Sequence, residues 1–442
     1  MAILDDVTPA TAAPPLAGVS RSSLAIAAFS TVVEWYDFTL YLYFVTVLSR
    51  VFFGGGGLSL LTTLGGFALA YLMRPLGAVV FGHIGDRQGR RHMLLLSVAL
   101  MTAAMLATAL LPTHKQVGPI AGVLLFLLRC VTGFAVGGEY TGVVAYLLEG
   151  APEHRRGLVA SLASAASEIG ALLAVGIAAL TVALTDEASL QSWGWRIPFL
   201  FGAALAASVW IARSAMAESP EFDRQKAAGT VPASPLRHSL SNHRAAIGRA
   251  FAISALGSIT YYVGITYVPA FLTSVGAMSE GASLWLSTAA AAAVILVTPF
   301  VGLASDRLGR RPVLAALALA NALLPVALFA LMATGSHGQA LGGALLLAAL
   351  AGGVSAVGAV ATAEQFPGEG RVTGLALGAT GATAIFGGLT PFLAQLLVER
   401  TGWAIAPGAM IAIVGLCVLP LFLWMKETAP LASARRSRSA LS

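Results

Sequence analysis

Twelve membrane-crossing helices, folded as two similar six-helix halves, are the architecture this sequence predicts, and three observations carry it. Apolar runs of about 20 residues recur along nearly the whole chain, the length a helix needs to cross a hydrocarbon core of roughly 30 Å. A charged loop string recurs at an offset of 220 residues, from Gly82 to Gly302. Basic residues gather in alternate gaps between the runs. Of the 442 residues, 57% are hydrophobic and only 10% charged, a composition foreign to an ordinary soluble domain.

The runs lie near 24–48, 58–82, 93–112, 118–146, 157–184, 196–216, 247–273, 283–304, 313–333, 339–362, 371–398 and 404–425. They are continuous rather than alternating, so the predicted fold is an all-α membrane protein, not a barrel. Residues 1–23 form a Pro/Ala/Thr-rich leader with Asp5 and Asp6, without the basic start and short apolar core of a signal peptide. The expected organisation is a disordered cytoplasmic leader at 1–23, an N-terminal bundle at 24–216 and a cytoplasmic linker at 217–245. A C-terminal bundle at 246–425 and a cytoplasmic tail at 426–442 complete it. Pro220, Gly229, Pro232 and Pro235 mark the linker.

Net charge is +6, but its placement argues against a nucleic-acid partner. Of the 26 Lys and Arg, 20 fall in gaps on the side holding both termini. Four (Arg50, Lys115, Arg196, Arg400) fall opposite, and two (Arg74, Arg129) lie within apolar runs. This is the positive-inside pattern, with both termini cytoplasmic. Trp193, Trp195 and Arg196 read as an interfacial aromatic anchor. Cys130 and Cys417 are isolated in apolar runs, and all seven histidines fall in loops or at helix ends, so no disulfide framework, metal or haem centre is expected. The Gly54–Gly57 run lacks the lysine and hydroxyl of a phosphate loop.

The repeat defines the halves. GHIGDRQGRR at 82–91 matches GLASDRLGRR at 302–311. Glu149, Pro152 and Arg156 match Glu364, Pro367 and Arg371 in the spacing E-x-x-P-x-x-x-R. Two motifs recurring in order imply parallel six-helix repeats. Glycine in the loop permits a tight reversal. Asp86, Arg87, Arg90 and Arg91, with Asp306, Arg307, Arg310 and Arg311, are the candidate gating latch; a purely topological anchor is the alternative.

Charge at membrane depth is costly and usually functional. Glu34, Asp37, Glu139 and Glu168 are the candidate proton-coupling acids, against Arg74 and Arg129. Glu34 and Asp37 share a face of the first helix, ~15–20 Å from its start at 1.5 Å per residue. Arg74 and Glu139 match in depth and are expected to pair. Arg129 heads an R-x-x-x-G-x-x-x-G stripe with Gly133 and Gly137, and its planar fork suits a carboxylate. It is assigned to solute or to Glu168, two roles that are compatible if an arriving anion displaces the internal partner. Glu168 itself is open to three roles: proton site, solute contact or partner of Arg129. Tyr261, Tyr262, Tyr267, Asn321, Thr380 and Thr383 are the neutral candidates for lining a solute site, with ordinary packing as the alternative. Tyr261 and Tyr262, being adjacent on a helix, are not expected to face one cavity together.

The D-R-x-G-R-R loops resemble the signature of the major facilitator superfamily. EWYDF at 34–38, RPLGAVVFGHIGDRQGRR at 74–91, GFAVGGEYTG at 133–142, WGWRIPF at 193–199, ESPEF at 218–222, YYVGITYVPAFL at 261–272 and AIFGGLTP at 384–391 are similar to its metabolite:proton symporter family. Carriers of citrate, 2-oxoglutarate, shikimate, and proline or betaine belong to it. The resemblance implies the twelve-helix fold, and a role in proton coupling for the acidic positions of the first helix. The expected function is proton-coupled import of a small carboxylate-bearing metabolite, such as a di- or tricarboxylate, by alternating access. The alternatives are a proton symporter of a zwitterionic compatible solute and a drug–proton antiporter. The expected partners are solute, protons and the lipid bilayer, with no cofactor, in the inner membrane of a bacterium, and the unit is a monomer. An enzyme is not expected, because no histidine is embedded and no G-x-S-x-G occurs.

Overall fold

The computed structural model describes residues 21–55, 57–137, 139, 143, 155–216, 218, 220–228, 240–334, 336–366 and 371–429. The N-terminal half holds α1 (Arg21–Tyr43, continued past Phe44 by Val45–Phe53), α2 (Gly57–Tyr71 and Met73–Gln88) and α3 (Arg90–Ala109). It continues with α4 (Ile120–Val136), α5 (Arg156–Leu184) and α6 (Arg196–Ser214). The C-terminal half holds α7 (Arg244–Tyr261, a π-helical turn Tyr262–Thr266, then Val268–Ser274), α8 (Glu280–Leu308) and α9 (Arg310–Leu323 and Pro325–Thr334). It ends with α10 (His337–Ala363), α11 (Arg371–Leu375 through to Thr390–Thr401) and α12 (Ala406–Trp424).

Among the described residues, eight helices are long and apolar enough to cross a bilayer, or ten when the bent pairs in α7 and α9 each count as one span. The bends are 46° and 43°. In α9 the break falls before Pro325, which lacks an N–H and cannot close the preceding turn. The two-part α1 and the shorter α4 fill the remaining places of the twelve-helix plan. An even number of spans puts both chain ends on one side, here named the termini end; the other is the distal end.

Glycine sets the closest crossings. A Cβ on Gly77 of α2 would lie 1.9 Å from the Phe134 carbonyl, and one on Gly133 of α4 2.3 Å from that of Ala70. The stripe read from the sequence therefore serves α2–α4 packing. Gly170 lets α5 reach α1, where a Cβ would meet Val32 O at 2.2 Å. Between halves, α5 packs along α8, and an added Cβ on Gly302 would meet Ser161 at 2.4 Å.

The two loop repeats fold alike. Gly89 and Gly309 take φ of 104° and 109°, a region glycine enters at little cost. Glu218 accepts from the backbone N–H of Arg90 at 2.8 Å, and Glu427 accepts from that of Arg310 at 2.8 Å. Each carboxylate meets the exposed amides that open α3 or α9. The segment read as linker contains the short helix Pro220–Ala228.

Candidate functional site

Among the described residues, three buried ion pairs organise the N-terminal half. Arg74 Nη2 donates to Glu34 Oε1 at 2.7 Å. Arg129 forks onto Asp37, Nη1 to Oδ2 at 3.0 Å and Nη2 to Oδ1 at 3.1 Å. Arg213 Nη2 donates to Glu139 Oε1 at 2.6 Å, with both side chains 0% exposed. Ser97 donates to the other Glu139 oxygen at 2.5 Å, while Arg213 also reaches Leu94 O and Ser30.

This arrangement corrects three expectations. Arg74 and Glu139 do not pair: matched depth does not place two side chains on facing azimuths, and each finds another partner. Arg129 is not the partner of Glu168, because the first-helix carboxylate Asp37 takes both arms of its fork. Arg213, grouped by sequence with the loop charges, is instead a third buried cation. It sits in the last turn of α6, where a long stem still reaches inward.

The fourth acid stands apart. Glu168 is 2% exposed, and none of these arginines contacts it. It lies close enough to Tyr261 and Tyr43 to interact electrostatically. Tyr261 is the hydrogen-bonding neighbour of this carboxylate, though not at close range, and the Tyr43 hydroxyl is buried beside it without a partner.

A cavity of about 130 Å³ lies between the halves. The N-terminal half gives it Glu34, Trp35 and Arg74; the C-terminal half gives Ser258, Tyr261, Tyr262, Thr380 and Thr383. Glu34 Oε2 has no hydrogen-bonding partner. Arg74 is held under aromatic faces, 4.2 Å from the Phe38 centroid and 4.6 Å from that of Tyr71. Trp35 packs edge-on to Tyr261 at 4.9 Å and stacks near Tyr262 at 6.4 Å. Tyr261 and Tyr262 thus line one cavity after all. A π-helical turn begins at Tyr262, a feature common at functional sites. Two further π-helical turns, Ala376–Thr380 and Ala384–Leu389, shape α11.

Other candidates lie elsewhere. Arg129 faces a separate small hollow with Phe38, Phe67 and Thr132, so among the described residues the cation on the main cavity wall is Arg74. Tyr267 donates to Gln395 at 2.6 Å, and Asn321 turns back to Leu317 O at 2.9 Å; neither lines the main cavity. A polar side chain in an apolar helix has two outlets, a cavity or a neighbour, and these two take the neighbour. Thr383 donates to Ala379 O at 2.8 Å and meets Ser258 at 3.0 Å. Trp35, Tyr71 and Arg213 were missed; a tryptophan between two acids in EWYDF was the available signal for the first.

In the second loop, Asp306 accepts from the backbone N–H of Gly157 and Leu158, both at 3.0 Å, and pairs with Arg310 at 2.8 Å. Arg310 also bonds Glu364 at 3.3 Å. The C-terminal half thereby grips the start of α5. Arg87, Arg91 and Arg307 are exposed; Arg91 and Arg311 meet Glu218 and Glu427 through their backbone amides. The side chain of Asp86 lies outside the described residues, as do Glu149, Pro152 and Pro367. At the distal end, Arg50 bridges to Glu280 at 2.9 Å and to Glu187 at 3.1 Å.

Comparison with known proteins follows the same lines. The family model for sugar and other transporters matches residues 24–235, and that for the Major Facilitator Superfamily matches residues 276–441. The glycine betaine/proline/ectoine/pipecolic acid transporter OusA of Dickeya dadantii (strain 3937) is 31% identical, covering 96% of this chain and 87% of that protein. The alpha-ketoglutarate permease of Escherichia coli (strain K12) is 33% identical, covering 84% of this chain and 86% of that protein. A partially occluded inward-open structure of the xylose transporter XylE from E. coli shares the fold, with a TM-score of 0.74 at 20% identity and coverage of 92% and 98%.

Proposed function

This chain belongs to the major facilitator superfamily, among its proton-coupled metabolite carriers, and from that premise we propose that it imports a small carboxylate-bearing solute with protons. The cavity between the halves is exposed to each side in turn as the halves rock. One observation carries the reading: Arg74 lines the cavity and holds Glu34 at 2.7 Å. A solute carboxylate competes with Glu34 for that guanidinium. Glu34, left in the cavity wall without its cation, then takes up a proton, because an unpaired buried charge is costly. Solute and proton therefore load together and leave together. Glu168, without a cation, is assigned a second proton; the Asp37–Arg129 pair tunes the same region. Motion of the loop latch around Asp306 and Arg310 accompanies the rocking, as would that of Asp86.

Within this class, a zwitterion of the proline or betaine type fits the lining better than a di- or tricarboxylate. Among the described residues the lining offers one arginine, Arg74, for one carboxylate, and Trp35, Tyr261 and Tyr262 offer aromatic rings that attract a cationic head. OusA is a transporter of such solutes. The site lies in a bacterial inner membrane, with both termini cytoplasmic and the monomer as the working unit.

The test is uptake by purified protein in vesicles under an imposed pH gradient, offered mono-, di- and tricarboxylates, proline and betaine. Accumulation of a carboxylate-bearing solute that a protonophore abolishes is the expected result. Accumulation indifferent to the protonophore overturns proton coupling. Preference for tricarboxylates over betaine and proline overturns the zwitterion reading alone.

A further inference from the structure

The cavity has a roof, and the roof is tied to Arg74. Tyr71 of α2 and Tyr262 of α7 are both fully buried, one from each half, with hydroxyls 2.6 Å apart. Their rings meet edge to face, 5.5 Å between centroids. The guanidinium of Arg74 donates Nη1 to the Tyr71 hydroxyl while Nη2 holds Glu34. A hydroxyl that accepts from a cation donates more strongly onward, so Tyr71 is primed to bond Tyr262. The cavity lies on the termini side of this bond: its lining on α7 runs from Ile253 to Tyr262, and on α11 from Leu375 to Thr383. Beyond that, the π-helical turn of α11 presses onto both rings. A Cβ on Gly388 would stand 2.6 Å from Tyr71 Cβ, and one on Gly387 2.8 Å from the Tyr262 ring.

We propose that Tyr71 and Tyr262 are positioning residues that couple the partner chosen by Arg74 to closure of the distal end. With Arg74 spanning Glu34 and Tyr71, the roof bond is strongest and the halves stay joined above the cavity. A carboxylate that draws Arg74 off Tyr71 weakens that bond and favours distal opening. The inference rests on Arg74 as the solute anchor.

The experiment uses the full-length carrier in nanodiscs, with Cys130 and Cys417 changed to Ser and spin labels at Leu58→Cys and His337→Cys. Both positions are exposed at the distal end, one on each half. Pulsed electron resonance then reports the distal distance distribution without any solute. Tyr262→Phe keeps the ring and removes one hydrogen bond, so the long-distance population should rise roughly three- to tenfold. Arg74→Gln should raise it as well, and should add little in the Tyr262→Phe background. Gly388→Ala, which leaves both hydroxyls intact, should open the roof by wedging. An unchanged distribution in Tyr262→Phe, or effects of Arg74→Gln and Tyr262→Phe that multiply independently, overturns the coupling. Because the readout needs no solute, that failure leaves the anchoring role of Arg74 untouched. Unaltered apparent affinity in Arg74→Lys would remove the anchor itself.

Discussion

Replacing Arg129 by lysine separates a structural fork from a solute contact. The guanidinium makes two charge-assisted bonds to Asp37, at 3.0 and 3.1 Å, with both side chains at 5% exposure or less. A lysine keeps the charge but has no planar fork, so one of the two bonds is lost, a cost of about 1.5–3 kcal/mol. Arg129→Ala goes further and leaves Asp37 buried without its cation, about 3–5 kcal/mol. Asp37→Asn combined with Arg129→Gln restores neutrality and should recover part of that loss. The assay is unfolding of the purified carrier in mixed micelles, run beside solute uptake. Stability should fall in the order wild type, Lys, Ala, with apparent affinity in Arg129→Lys close to wild type. If Arg129→Lys leaves stability unchanged while apparent affinity drops tenfold, the fork serves solute and the structural reasoning is wrong.

Other substitutions probe separate parts of the account. Gly77→Ala should destabilise the N-terminal half by about 3 kcal/mol or more, since the new methyl meets backbone; a wild-type melting curve would contradict the α2–α4 crossing. Glu427→Gln should loosen the start of α9 by about 0.5–1 kcal/mol, seen as faster amide exchange there, with Glu218→Gln doing the same at α3; equal exchange would dismiss the capping role. Ser189 N–H holds the Asp186 carboxyl below its usual range, so this cap is intact above about pH 4 and is lost as pH falls through the lowered value. Amide protection at Ser189 that is indifferent to acid would refute it. Glu168→Gln should shift the pH profile of uptake and spare solute preference; the reverse outcome would make Glu168 a solute contact.

The spans, the parallel halves and the embedded acids are all readable in the chain, because hydropathy, repeat spacing and depth are one-dimensional quantities. Partner choice is not. Glu34, Asp37 and Glu139 are all buried in the N-terminal half, yet Arg74 pairs with Glu34 and Arg129 with Asp37, because pairing depends on how helices rotate about their axes. Arg213 was hidden by its position near the end of α6, where charge sorting counts it with the loop. Tyr261 and Tyr262 share one cavity wall where a π-helical turn begins, and apolar periodicity carries no signal for such a turn. With Arg213 included, the surplus of acid over base shrinks from two carboxylates to one, and that one is Glu168.

Proton movement measured directly is the sharpest test of the coupling step. In vesicles holding a pH-sensitive dye, with no imposed gradient, solute added outside should acidify the lumen through the wild-type carrier. Glu34→Gln should admit solute down its gradient with fewer protons per solute. A Glu34→Gln carrier that moves as many protons per solute as wild type would contradict the exchange of Arg74 between Glu34 and the solute.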